Sequence, residues 1–140
     1  MSDMEGSSAA ALVRAYIRGV ERFDAAAVEP LLSDQMQFTE LPNRIRPKGG
    51  VDDKAAMIAG LKRSGEGKVL TGQRYVIGDV VAAGDRVVVE ARWEGDLAVP
   101  LGRLAAGDTM VAHICMVFEV RDGQIVRQRN YDCYEDFAAA

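Results

Sequence analysis

The sequence predicts an α+β fold, with three N-terminal helices packed into a cone-shaped, curved antiparallel sheet. Three observations carry this. Apolar residues recur at helical spacing in the first part of the chain, and they alternate at strand spacing through most of the second. Two short turns, Ala83-Gly84-Asp85 and Arg121-Asp122-Gly123, join the alternating runs into hairpins. Helices that precede strands, rather than alternating with them, segregate to one face of the sheet. The inner face of the sheet and the helices would then enclose a cone open at one end, a natural place for a ligand.

The elements follow in order. Residues 1–7 read as a flexible leader, and Ser7 or Ser8 is placed to cap the first helix. Leu12, Val13, Tyr16, Ile17 and Val20 then share one helical face. Asp24 caps a short second helix, which Pro30 limits because proline lacks the donor that a continuing ladder needs. Residues 35–41 form a strand in which Met36, Phe38 and Glu40 point one way and Gln37 and Thr39 the other. Val51 and Asp52 open a third helix, with Met57, Ile58 and Leu61 inward and Gly65 just past its end. Strands follow at 73–82, 86–95, 109–120 and 124–134. Between the second and third of these, the loop 96–108 is unusually apolar, with Leu97, Val99, Leu101 and Leu104. Residues 8–137 thus form a single domain.

Length and composition narrow the function classes. A chain of 140 residues suits one domain with one real core. A net charge of −4, with acids and bases interspersed, argues against nucleic-acid binding, which needs a basic footprint. The opening MSDMEGSSAAALVRAYIRGV lacks a basic leader segment, and Arg14 and Arg18 interrupt its apolar run, so it is not a signal peptide. No stretch approaches the roughly 20 apolar residues of a membrane span. The expected location is the cytoplasm. Cys115 and Cys133 lie in apolar runs and read as buried small hydrophobes. One histidine and two separated cysteines give no zinc spacing, and no cofactor motif is present, so neither metal nor cofactor is expected.

Four residues stand out as candidates for chemistry. Glu40 shares a strand face with Met36 and Phe38, apolar neighbours that would raise its pKa toward that of a working base. The bland alternative is a rim charge paired with Arg44 or Arg46. Tyr16 lies on the apolar face of its helix, so its hydroxyl needs a partner, either a ligand or a protein group such as Asp132. Asp132 alternates with Gln128, Asn130 and Tyr134, but the run 127–130 is polar on both faces and periodicity leaves the inward face undecided. His113, the sole histidine, would pair with Asp132 if the two meet across neighbouring strands, and is otherwise a structural residue. If the cone is open, Phe38, Trp93, Met116, Phe118 and Asn130 would contact the ligand; if Trp93, Met116 and Phe118 fill it, the domain is structural.

Three stretches carry a family resemblance: ALVRAYIRGVERFDAAAVEPLLSDQMQF, VFEVRDGQIV and RQRNYDCYEDF. Their order and spacing resemble the nuclear transport factor 2-like superfamily, in its SnoaL-like and ketosteroid isomerase-like branch. The resemblance covers about residues 8–137 and implies a cystatin-like α+β roll and a homodimer formed through the outer face of the sheet. It implies Tyr16 as an oxyanion donor and Glu40 as a base, while the second acidic donor of the isomerases falls on Cys115 or Met116 and is missing. It implies an acid on the last strand, at Asp132 or Asn130. Arg92 and Glu94 faintly echo the Asp-Arg-Asp set of limonene epoxide hydrolases. The function so implied is cofactor-independent acid–base chemistry, an isomerisation or cyclisation, on a small apolar carbonyl compound. The alternative is a non-catalytic ligand-binding or dimerisation module, since one fold hosts many functions.

Overall fold

The computed structural model describes residues 3–139. In chain order the elements are α1 (Asp3–Glu21), α2 (Ala25–Val28), a 3-10 turn (Glu29–Leu31), β1 (Leu32–Glu40), β2 (Gly50–Asp53), α3 (Lys54–Ser64), β3 (Leu70–Ala83), β4 (Arg86–Leu97), β5 (Thr109–Arg121) and β6 (Gln124–Tyr134). The helix α1 starts at Asp3, ahead of the expected Ser7 or Ser8 cap, and the first two residues of the expected leader lie outside the described residues. It ends at Glu21, and the left-handed φ of 55° at Phe23 turns the chain so that the amides of Phe23 and Asp24 reach back to Val20 O and Gly19 O. Asp24 then caps α2, its Oδ1 accepting from the Ala27 amide at 3.1 Å.

All six strands form one sheet in the order β2-β1-β6-β5-β4-β3. The strands β3 to β6 are an antiparallel meander, as expected. Two features differ from the sequence reading. The first is that β1 runs parallel to β6, so the sheet is mixed. The long excursion through the third helix and the meander brings the chain back beside β1 in the same direction, and local turn signals do not report that orientation. The second is that Gly50–Asp53, expected to open the third helix, is a short strand paired with β1 from Gln37↔Asp53 to Glu40↔Gly50. Pairing there covers backbone donors and acceptors of β1 that would otherwise form an open edge. The helix α3 begins only after Asp53, whose Oδ1 caps the Ala56 amide at 2.8 Å.

The core lies between α1 and the inner face of the sheet. Val13, Tyr16 and Ile17 of α1 are buried against Val87 and Val89 of β4, Met116 and Phe118 of β5, and Ile125 of β6. Phe118 is fully buried and meets the Tyr16 ring edge-on at 5.7 Å between centroids. Of the loop 96–108, Leu97 is buried, and Leu101 and Leu104 bridge each other and pack on the core, while Val99 stays exposed. The cysteines were expected in the core. Instead Cys115 is only partly buried and Cys133 is exposed, both as free thiols, because alternation puts both on the outer face. Among the described residues, no helix is long and apolar enough to cross a membrane.

Phe118 closes the narrow end of the cone, so Phe118→Ala is expected to lower unfolding free energy by about 3–5 kcal/mol through lost burial and a residual cavity. Urea unfolding checks this; a loss under about 1 kcal/mol would mean that α1 is not anchored on this ring.

Candidate active site

Side chains on the inner face form rows across the sheet, fixed by strand register. Toward the wide end lies Tyr75–Trp93–Ala112–Tyr134, and next to it Ile77–Ala91–Ile114–Asp132. Deeper come Val89–Met116–Asn130–Glu40 and then Val87–Phe118–Gln128–Phe38. Large apolar side chains fill the two deep rows on β4 and β5. Above them a pocket of about 1030 Å³ opens between this face, α3 and the chain around Ile45 and Arg46. Phe23, Phe38, Met57, Leu61 and Trp93 contribute apolar wall, β6 contributes Asn130, Asp132 and Tyr134, and charged residues such as Arg46, Arg63 and Lys68 also line it.

Glu40 lines this pocket, but its carboxylate is already engaged. Asn43 Nδ2 donates to Oε2 at 2.7 Å, and Arg46 Nη1 lies 3.4 Å from Oε1. Arg46 is shared with Asp52 at 3.0 Å. Asn43 builds this arrangement locally, its Oδ1 accepting the amides of Ile45 and Arg46, each at 2.9 Å. Glu40 thus pairs with Arg46, one of the two partners that the rim-charge reading named.

Asp132 is the opposite case. Its residue is partly buried, and its Oδ1 is the one buried side-chain oxygen or nitrogen without a hydrogen-bond partner among the described residues. Burial, reinforced by the nearby negative charge of Glu40 and partly offset by Asn130, pushes its carboxyl up to about 6. An unpartnered carboxyl oxygen in an apolar pocket, titrating near neutrality, is suited to take and return a proton.

A chain of hydrogen bonds organises the floor below Asp132. The Tyr16 hydroxyl donates to Gln128 Oε1 at 2.6 Å, and Gln128 Nε2 donates to Asn130 Oδ1 at 2.9 Å. Burial, first, and the neighbouring Tyr75, second, hold the Tyr16 phenol in its neutral form. Its single proton points at Gln128, so Tyr16 orients the floor and is not free to donate to a ligand oxyanion.

The remaining sequence candidates separate. Phe38, Trp93 and Asn130 line the pocket together with Glu40, Asp132 and Tyr16. Met116 and Phe118 face inward but pack deep in the core and do not line it. His113 is on the wrong side of the sheet. It pairs in register with Cys133, while Asp132 pairs with Ile114. Its side chain is 57% exposed, and Nε2 sits 2.8 Å from Glu135 Oε2. Two-residue alternation therefore separates His113 from Asp132 by the thickness of the sheet. Arg92 and Glu94 pair with each other at 2.9 Å, with both side chains partly solvent-exposed, and neither lines the pocket. Sequence reasoning passed over Gln128, Gln73 and Tyr75 as site residues. The only available signal for Gln128 was its shared parity with Asn130 and Asp132. Gln73 accepts from Trp93 Nε1 at 2.8 Å and donates to Val20 O at 2.8 Å, which fixes the indole in the wall. Among the described residues, no three His, Cys, Asp or Glu side chains gather as a metal site would require.

Comparison with known proteins places this architecture. A family model described as the SnoaL-like domain matches residues 13–128. No curated protein matches the chain significantly. Among solved structures, the chain is similar to a proposed polyketide cyclase of Xanthomonas campestris pv. campestris, with 28% identity, a TM-score of 0.70 and 91% of each chain covered. It is also similar to a proposed SnoaL-like polyketide cyclase of Jannaschia sp. CCS1, with 17% identity, a TM-score of 0.74, and 94% of this chain and 90% of that one covered. An LEH-like epoxide hydrolase of M. tuberculosis matches at 21% identity and a TM-score of 0.73, over 94% of this chain and 85% of the other. A wide-ended cone with a polar last strand, matched over most of its length by the family model, shows that the chain belongs to the SnoaL-like domain family.

Proposed function

We propose that this protein binds a small, largely apolar carbonyl compound in the pocket and moves a proton on it, with Asp132 as general base and acid. The observation that carries the reading is the buried, unpartnered Oδ1 of Asp132, a residue that lines the pocket. The solved relatives described as proposed polyketide cyclases support the same class of chemistry. Asp132 takes over the base role expected of Glu40, because Glu40 already holds Asn43 and Arg46. In the forward step Asp132 removes a proton from carbon next to the carbonyl, and the C–H electron pair moves into a new C=C bond. The carbonyl pair moves onto oxygen, and the protonated Asp132 then returns its proton to the product.

The groups facing Asp132 set its pH dependence. They are Glu40 on β1, Tyr75 on β3, and Asn130 and Tyr134 on its own strand, with Tyr16 of α1 acting through Gln128. A second reading, a binding protein without turnover, draws on the Tyr16–Gln128–Asn130 chain, where polar groups are already paired with one another. In both readings two copies pair through the outer face of the sheet, where Val76 and Tyr131 are exposed.

A nitrobenzisoxazole tests the base directly, because removal of its ring C–H proton breaks the N–O bond and releases a coloured cyanophenolate. The rate is expected to rise with pH through an inflection near 6 and to fall about 100-fold or more in Asp132→Asn. An unchanged rate in that variant would place the base elsewhere; binding of the probe with no turnover in the native protein would favour the second reading. Stability should respond in the opposite sense. The folded carboxyl titrates at about 6 against its ordinary 3.8, so charging it costs folding free energy as pH rises through that window. Asp132→Asn is therefore expected to be more stable than the native protein at pH 8, by about 1–2 kcal/mol, with the gain vanishing toward pH 4. Paired thermal melts at the two pH values read this, and a pH-independent difference would contradict the perturbed carboxyl. Sedimentation equilibrium addresses pairing: a dimer mass is expected, and a monomer at tens of micromolar would remove it.

A further inference from the structure

We infer that the developing oxyanion of the ligand is held between the hydroxyls of Tyr75 and Tyr134, two phenols that line the pocket. The inference rests on the reading of Asp132 as the base and names what stabilises the charge that the base creates. Tyr16, Tyr75 and Tyr134 all line the pocket, and the Tyr16 proton is engaged by Gln128. The hydroxyls of Tyr75 and Tyr134 have no hydrogen-bond partner among the described residues.

Their placement follows from register. Tyr75 and Tyr134 end one row of the inner face, separated by Trp93 and Ala112. Three strand spacings, about 14 Å, lie between their backbones, and both side chains line the same pocket. Ala112 is too small to intervene. The Trp93 indole is held against Gln73 at 2.8 Å. Tyr134 is fixed by edge-on contacts with Trp93 and Phe137, at 6.2 and 6.3 Å between centroids. Tyr75 is anchored through its backbone, its amide donating to Glu21 Oε2 at 2.7 Å. Asp132 is two residues before Tyr134 on the same face, so a carbonyl oxygen lying between the phenols sets its neighbouring carbon toward Asp132 Oδ1.

The chemistry is consistent with this arrangement. Burial, followed by the charge of Asp132, pushes both phenols up, so at neutral pH each carries its proton and donates. When Asp132 takes the substrate proton, its charge disappears and reappears on the ligand oxygen between the two donors. Preorganised donors aimed at developing charge in a largely apolar site stabilise it without reorganisation. The ligand class is therefore an enolisable carbonyl compound that presents its oxygen toward the wide end of the cone.

The state after proton transfer is mimicked by Asp132→Asn with para-nitrophenolate bound. Phenolate affinity, read from its visible absorbance, is expected to be higher in Asp132→Asn than in the native protein. Adding Tyr75→Phe or Tyr134→Phe to that variant should weaken it about tenfold each, since each removes a hydrogen bond to a charged oxygen while keeping the ring. Nitrobenzene, which has the same ring without the oxyanion, should bind all these variants alike. Unchanged phenolate affinity in both phenylalanine variants would overturn the inference, as would equal losses for nitrobenzene. No proton is transferred in this measurement. A failure of the Asp132 reading therefore appears only in the nitrobenzisoxazole assay, and the two failures remain separate.

Discussion

The structure depends on how one strand places polar side chains inside an apolar cone. On β6 the inward positions are Gln128, Asn130, Asp132 and Tyr134, where β4 and β5 place valine, methionine, isoleucine and phenylalanine. Buried polar groups need partners, and an unmet one costs on the order of 1–3 kcal/mol. The fold meets the demand for Gln128 by bringing Tyr16 of α1 against it, and Gln128 in turn meets Asn130. The same contact that seats the first helix on the sheet therefore also orients the floor of the pocket. Asp132, one step further toward the opening, is left unmet.

The contrast between the two carboxylates follows from their surroundings. Glu40 ends β1, where the following loop supplies Asn43 and Arg46, and it is compensated locally. Asp132 ends its row, with Ile114 beside it on β5 and its Oδ1 without a partner among the described residues. Glu40 still acts on Asp132 through its charge, which adds to the effect of burial. Two acids in one pocket are thereby pushed apart in character, one saturated with hydrogen bonds and one held ready for a proton.

Much of the architecture was legible in the sequence. The face of α1, the Asp24 cap and both hairpins are local signals, and local signals survive without tertiary information. The strand at 50–53 was misread because a four-residue segment carries too little periodicity to compete with the helix that follows it. The direction of β1 was invisible, since it depends on a pairing across about ninety residues. At the site, the pocket-facing residues of β1 and β4 were found through clean alternation. On β6 alternation failed because both faces are polar, so Asp132 was named while its orientation stayed open. The side of His113 stayed open for a related reason: its run is apolar on both faces, and only register against β6 shows which side looks outward. Tyr75 drew no notice because Arg74 and Val76 beside it mask the period.

The parallel pairing of β1 with β6 also bears on how the chain reaches its final shape. The meander from β3 to β6 is closed by short hairpins and can form from neighbours in sequence, but β1 must wait for the last strand to be made. Contacts of such high sequence separation carry a large loop-closure entropy and form slowly. During synthesis, Leu32 and Met36, both fully enclosed in the finished molecule, would emerge from the ribosome with only the helices and β2 to cover them until residues 124–134 arrive. The strand that carries the reactive carboxyl is thus also the one on whose arrival the nascent chain's exposure to aggregation ends.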